Sequence, residues 1–554
     1  MGMGSRNDGG VGTADSPTVA NSTEDSATIS KGFAWLAGAI GAAISLSIGE
    51  LFERISGSLI SLVVGVADFL VDITPGDIVA QSINTLGSSQ KPLLVAGITV
   101  FSIAIGGLLG FAGRKNKMIV PAGFLLFGLF GGFATGRSDI SNLAGSWITA
   151  LVAALIGGAV TLGLLHVGRG TDGAVSTVTA PNGELIDRRG LLYGGAALGA
   201  VAITAAARVG RTSAAEVARA EILNTAGSGS GATAEPINLP VGQFDDIPGI
   251  TPRVVSISPE DNFYLIDTAI RKPEVDPSTW ELSITGPHVD NPMTYTYEDL
   301  LNRELVTTEV TLSCVSNPVG GELVGNAVWT GVPLSELLEE AGIQDPRNSE
   351  HQIFSRSVDG FTCGFEVPLA FDGRTAMVAL MMNGEPLPII HGFPARLVIA
   401  GIYGYVSATK WLEEIQVTDN VGVDGFWIPR GWSKYGPIKT QSRIDTPVQG
   451  GQMPGGPTTI AGIAFNPTIG IEQVEVGFTN AEDQTSTEWV PVELADVESD
   501  ETWVQWRHEW DAPPGDWFIQ VRATDKTGFT QSPNIVPPAP NGAEGFHTII
   551  VRIT

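Results

Sequence analysis

Cys314 is one of only two cysteines in 554 residues, and it lies in Thr311-Leu-Ser-Cys-Val-Ser-Asn-Pro-Val-Gly-Gly321, where a strand-like run meets a turn. A thiolate is a soft ligand, and one alone cannot build the roughly four-ligand site that structural zinc takes. It can supply the single protein bond to a metal whose remaining ligands come from an organic cofactor. The plain alternative is a buried thiol packing as a small apolar side chain, the role given to Cys363. Further on, Leu387-Pro-Ile-Ile-His-Gly-Phe-Pro-Ala-Arg-Leu-Val-Ile399 sets His391 and Arg396 five positions apart around a glycine and a proline, and Lys410-Trp411 follows. Arginine offers a planar bidentate fork, lysine a point charge and histidine a ring donor, a set that suits a terminal phosphate.

Ser313-Cys-Val-Ser-Asn-Pro318, His391-Gly-Phe-Pro-Ala-Arg396 and Lys410-Trp-Leu412, in that order and at that spacing, resemble the cofactor-binding segments of the sulfite oxidase superfamily of molybdopterin enzymes. The resemblance implies a Mo-molybdopterin cofactor with Cys314 as the metal ligand. It implies that His391, Arg396 and Lys410, helped by the backbone around Ala408 and Thr409, hold the pterin phosphate. It also gives pterin contacts to Asn262, Phe263 and Tyr264 in Asp261-Asn-Phe-Tyr-Leu-Ile266, and a cofactor-facing oxygen to Asp359 in Ser357-Val-Asp-Gly-Phe-Thr362.

Where sulfite oxidases surround an oxyanion with arginines, this chain has Asp261 and Val319, and Trp432 stands for a tyrosine over the metal. A dianion facing a carboxylate loses its charge-assisted bonds and meets repulsion. The expected activity is therefore two-electron oxygen-atom transfer on a small molecule other than sulfite, with Cys314, Trp432 and Asp261 at the reaction centre and Lys434 and Tyr435 shaping the entrance. Reduction of an S- or N-oxide on the same scaffold is the alternative direction, and a metal-free binding module the alternative class.

These residues need a scaffold. From about 245 to 450 the chain alternates strand-like runs with a few helical ones such as Pro333-Leu-Ser-Glu-Leu-Leu-Glu-Glu-Ala-Gly342, an α+β pattern. Residues 451–554 carry short alternating strands with regular turn signals, a β-sandwich pattern. Val474-Glu-Val-Gly-Phe478 and Pro513-Pro-Gly-Asp-Trp517 in it resemble the immunoglobulin-like dimerisation domain of the same superfamily, which implies a homodimer.

Residues 1–30 are too polar to fold and read as a disordered tail. Residues 31–210 hold apolar runs at Phe33–Gly49, Ile55–Val71, Pro92–Gly113, Met118–Gly136, Leu143–Leu165 and Gly190–Ala207. A bilayer core needs about 20 helical residues, so five or six transmembrane helices are expected, the middle three the clearest. Arg114-Lys-Asn-Lys117 and Arg188-Arg189 read as cytoplasmic by the positive-inside rule, which places the enzyme domain outside the cell. Asp187-Arg-Arg-Gly-Leu-Leu-Tyr193 resembles a twin-arginine export signal as closely as a basic anchor. His166 is the only histidine in this region, so a two-histidine haem between the helices is not expected and an outside electron partner is required. Residues 211–244 read as a linker.

Beyond residue 210 the chain carries 46 acidic and 19 basic residues, five of them lysine. Such a surface repels nucleic acid. It resembles the haloarchaeal solution to high salt, where carboxylates keep the surface hydrated and salt screens their repulsion.

Overall fold

A computed structural model of the chain describes residues 29–56, 59–75, 78, 82, 85–86, 89–137, 142–168, 177–179, 185–208, 213–226, 237–257, 263–482 and 489–554. The expected tail lies almost wholly outside them. The chain divides into two compact units, one of residues 1–45, 102–126 and 154–202, the other of residues 46–101, 127–153 and 203–554.

The apolar region forms α1 (Lys31–Ile55), α2 (Leu62–Ile73), α3 (Gln90–Gly113), α4 (Ile119–Thr135), α5 (Leu143–Gly168) and α6 (Arg188–Arg208). Among the described residues α1, α3 and α5 are long and apolar enough to cross a membrane, whereas α4 and Tyr193–Thr204 are shorter apolar helices. The expected second span is interrupted instead: Ser61 caps α2 by accepting the Val64 amide at 3.2 Å, leaving a helix of 12 residues. In the first unit α1 and α3 meet through glycine. A Cβ on Gly38 would lie 2.0 Å from the Gly106 carbonyl and 2.7 Å from the Gly110 amide, the close backbone approach that small residues four apart allow.

Residues Ala214–Ala226, expected within a linker, form helix α7. Ser213 and Glu216 make a reciprocal capping box (2.9 and 3.1 Å), and Arg219 donates to the carbonyls of Pro386 and Leu387 while pairing with Glu385. That Ser-x-x-Glu signature outweighs the small-residue composition that suggested flexibility.

The α+β domain is built on two sheets. Strands β1 (Glu281–Thr285) and β2 (Met293–Thr296) are followed by helix α8 (Tyr297–Leu301), strands β3 (Val306–Ser313) and β4 (Val324–Pro333), and helix α9 (Leu334–Glu340). Then come β5 (His351–Ser357), β6 (Thr362–Glu366), β7 (Ala376–Met382), β8 (Arg396–Ile399), helix α10 (Gly404–Ser407) and β9 (Leu412–Asp419). One sheet runs β3-β4-β7-β8, all antiparallel; the other runs β2-β1-β9-β5-β6, with β1 and β9 parallel. Every residue of β7 is buried, as a continuous apolar run in a central strand requires. Helix α9 buries Leu334, Leu337 and Leu338, the i, i+3, i+4 stripe of an amphipathic helix.

The C-terminal region comprises β10 (Gln441–Thr446), β11 (Gly456–Phe465), β12 (Ile471–Asn480), β13 (Val504–Ala512), β14 (Gly515–Asp525) and β15 (His547–Ile553). Sheets β10-β11-β13 and β15-β14-β12 share a core of Ile444, Ile460, Val476, Trp506, Ile519 and Val551. Strand β10 pairs with β11, so the sandwich begins near residue 441 rather than at 451. The segment before β1 also reaches it, since Phe244 and Ile250 pack on Ala461 and Ala495.

Candidate functional site

Several chain segments converge on the site. Cys314 follows the last residue of β3, its amide donating to the Leu323 carbonyl at 2.9 Å, while its sulfur accepts from the Ser316 amide at 3.4 Å. Its side chain is buried, and burial pushes the thiol above its ordinary pKa, with the Ser316 contacts only partly offsetting. Phe263 and Tyr264 stack on each other at 5.3 Å; Phe263 also meets the rings of Trp329 and His391 edge-on, at 5.8 and 5.4 Å. Tyr264 is near enough to Cys314 and Arg396 to feel both charges. Asp261 and Asn262 lie outside the described residues.

His391 ends a 3-10 turn, and the next residue, Gly392, has φ of 111°. A Cβ there would lie 3.0 Å from Cα and Cβ of Lys410 and 3.2 Å from Cβ of Arg396, so only glycine brings the two cations together around this turn. Trp411 has φ of 48°, unusual for a bulky residue, and is pinned by its ring nitrogen on the Ile389 carbonyl at 2.8 Å and its amide on the Gly392 carbonyl at 3.3 Å. That tie fixes where Lys410 emerges.

The electrostatics are one-sided. Arg396 is 3% exposed; it donates to the His391 carbonyl at 3.2 Å and lies over the Trp329 ring at 5.0 Å. Among the described residues it pairs with no carboxylate, and burial brings its pKa down to about 10 although Tyr264 opposes the shift. Lys410 is brought by burial to about 8 even though Asp267 pulls the other way. Its ammonium donates to Asp267 and to the Ile390 carbonyl, both at 3.0 Å. Asp267 also takes Lys272 and, at 2.8 Å, Lys91. Burial alone would raise the Asp267 carboxyl, but the three lysines hold it far below its usual range.

Asp359, in the turn between β5 and β6, accepts the Phe361 amide at 3.1 Å; burial raises its pKa, with that bond and Ser357 opposing. Arg396 and Lys410 are buried, whereas Lys91 and Lys272 are part-exposed and Asp68 also interacts with Lys91 and Asp359. Arg396 and Lys410 against the Asp267 carboxylate leave a buried excess of one positive charge, which calls for an anion.

Three of the expected residues are held by contacts of their own. The Ala408 amide donates to the Gly404 carbonyl at 2.9 Å, closing α10, so it is not free for a phosphate. The Thr409 hydroxyl is tied to Ser355 at 2.7 Å and to the buried Cys363 sulfur at 3.1 Å, so its side chain belongs to the packing behind the site. Lys434 donates to the Asn420 and Val423 carbonyls and to Asp424, fastening a loop rather than lining an entrance.

Tyr435 is exposed and accepts from Asn420. Val319 lies beside Gly545 of the C-terminal region. Trp432 is 6% exposed between Tyr405 and Trp427, with ring centroids at 5.9 and 6.3 Å.

Asp267, Lys272 and Lys91 were missed in the sequence. Lysine scarcity was the available signal: two of the five lysines beyond residue 210 meet on one carboxylate.

Residues 269–427 match the family described as "Oxidoreductase molybdopterin binding domain". The uncharacterized oxidoreductase YuiH of Bacillus subtilis is 33% identical over 162 residues, 29% of this chain and 76% of that protein. Human mitochondrial sulfite oxidase is 28% identical over 231 residues, 35% of this chain and 42% of the relative. The NAD(P)H nitrate reductase of Hordeum vulgare is 32% identical over 171 residues, 27% of this chain and 19% of that protein. The chain thus spans less than half the length of these two enzymes of known reaction.

Proposed function

Because the chain belongs to the molybdopterin-binding oxidoreductase family and takes Mo-molybdopterin as its cofactor, we propose that it is a membrane-anchored enzyme of two-electron oxygen-atom transfer acting on a small uncharged substrate. The observation that carries the reading is a lone buried thiol in the same cluster as a buried excess of cations, the two requirements of a thiolate-ligated metal whose organic ligand ends in phosphate. When bound, the cofactor supplies a metal that accepts or gives two electrons. Cys314 loses its proton to become the ligand, and the Ser316 amide steadies the sulfur. Arg396 and Lys410 hold the phosphate, His391 donates beside them, and Phe263 with Tyr264 forms an apolar wall for the pterin.

The uncharged substrate follows from Asp261 and Val319 standing at the resemblance's arginine positions and from Trp432 standing for its tyrosine. The decisive assay follows turnover of a sulfoxide or N-oxide with a reduced dye against turnover of sulfite, on protein whose molybdenum and pterin content is measured. Oxide reduction well above sulfite oxidation is expected; sulfite as the better substrate overturns the substrate reading, and metal-free protein from cofactor-making cells overturns the enzyme reading.

Helix α3 supports placing the catalytic domain outside. The basic Arg114–Lys117 turn that follows its end reads as cytoplasmic by the positive-inside rule. The sandwich is proposed to be immunoglobulin-like and to dimerise, and electrons to leave to a separate protein. The acidic surface suits high salt.

A further inference from the structure

Asp267 lies at the edge of the cofactor site, and one of its three cations does not come from the catalytic domain. Lys91 is the second residue of α3, a helix long and apolar enough to cross a membrane. Its ammonium makes three bonds, to the Asp267 carboxylate at 2.8 Å and to the carbonyls of Asp267 and Ala269 at 2.6 and 2.9 Å, and these take up all its protons. Lys91 therefore acts through Asp267 and has no proton left for a ligand. Asp267 divides its oxygens: Oδ1 takes Lys91 and Lys272, and Oδ2 takes Lys410.

Three further contacts bind helical-region residues to the same face of the catalytic domain. Arg271 pairs with Glu53 at 3.0 Å and donates to the Leu59 carbonyl at 3.2 Å, and Arg430 stands 3.7 Å from Asp72. Two of these sit on Arg271, four positions from Asp267, and the third lies two positions from Trp432.

We infer that the membrane helices complete the cofactor site: Lys91 is a positioning residue that shares the Asp267 carboxylate and so leaves Lys410 able to hold the cofactor phosphate. Without Lys91, Asp267 turns a larger share of its charge on Lys410 and draws that ammonium away from the phosphate. The carbonyls of residues 267 and 269 lose their peg, and the pocket loses one unit of positive field. All three changes loosen an anion. The inference rests on the assignment of Lys410 to the phosphate.

The test uses the full chain in detergent, with molybdenum and pterin per chain measured after gel filtration and the rate of pterin loss followed afterwards. Lys410→Met checks the underlying reading: if it keeps the cofactor as the wild type does, Lys410 does not hold the phosphate and the assignment fails. Given loss in Lys410→Met, Lys91→Met is expected to lose pterin about tenfold faster than the wild type, the worth of one charge-assisted hydrogen bond. Lys91→Arg, which keeps the charge, should recover most of the retention.

Glu53→Gln breaks a neighbouring contact with the helices and leaves Asp267 untouched, so it should retain cofactor normally. Retention in Lys91→Met equal to wild type overturns the inference. Equal loss in Glu53→Gln also overturns it, because the effect is then one of general docking. If Lys91→Met does not fold, Lys91→Gln is measured in its place: faster pterin loss beside normal retention in Glu53→Gln supports the inference, and retention equal to wild type overturns it.

Discussion

In the proposed reading a single atom, the Cys314 sulfur, carries the chemistry. Cys314→Ser should abolish turnover and the metal-thiolate absorption band while the protein keeps its melting temperature, because a hydroxyl is a harder and much less acidic ligand; Cys363→Ser, in the packing behind Thr409, should keep both. Arg396→Ala leaves a buried anion without its fork and should cost about 2–5 kcal/mol of cofactor binding, read as molybdenum occupancy after gel filtration. Lys410 sets a pH limit. Its ammonium is present below its folded pKa of about 8 and is lost as pH rises through it, so capture of the phosphate should be full on the acid side of pH 8 and weaken on the alkaline side. Lys410→Arg should flatten that profile.

Cys314, His391, Arg396 and Lys410 could be proposed from the sequence because each sits in a short run whose neighbours fix its geometry. Asp267 and Lys91 were not. They are 176 positions apart, and no local pattern encodes a pair that only tertiary folding brings together.

At the level of elements, the strands of the α+β domain were legible from apolar runs, and β7 illustrates why: an all-buried strand needs apolar side chains on both faces. Helix α7 was masked by its alanines and by the Gly-Ser run after it, though Ser213 and Glu216 stated its start. Ser213→Ala should cost about 1 kcal/mol of that helix's stability, measured as faster amide exchange across residues 214–226 with the exchange of β7 unchanged. The sandwich boundary failed for a different reason. Strand β10 is joined to the catalytic domain in sequence and to β11 in register, and only the register shows to which core Ile444 belongs.

For the whole molecule, charge and topology set the terms. An excess of 27 acidic over basic residues beyond position 210 repels itself, and the repulsion reaches about 10 Å at 0.1 M salt but only about 3 Å at 1 M. The melting temperature should therefore rise steeply between those concentrations, with little further gain above; a flat curve would mean an ordinary acidic protein. With the catalytic domain outside, protease added to intact cells should cut the Gly-Ser-rich run at 227–236 and give a C-terminal product detectable on a gel, and cutting only after lysis would reverse the orientation.

The Lys91–Asp267 contact also has a consequence for biogenesis. The ribosome delivers Lys91 long before Asp267 and Lys410, so one of the cations that meet on Asp267 is made before the catalytic domain exists. Loading with the pterin and closing against the helices can then be separate events, and the second would work as a latch: a domain that brings Asp267, Lys272 and Lys410 to Lys91 without its cofactor gathers three lysines around one carboxylate with no phosphate to balance them, and should dock less well than a loaded one. The membrane end of the molecule would in this way inspect its own enzyme.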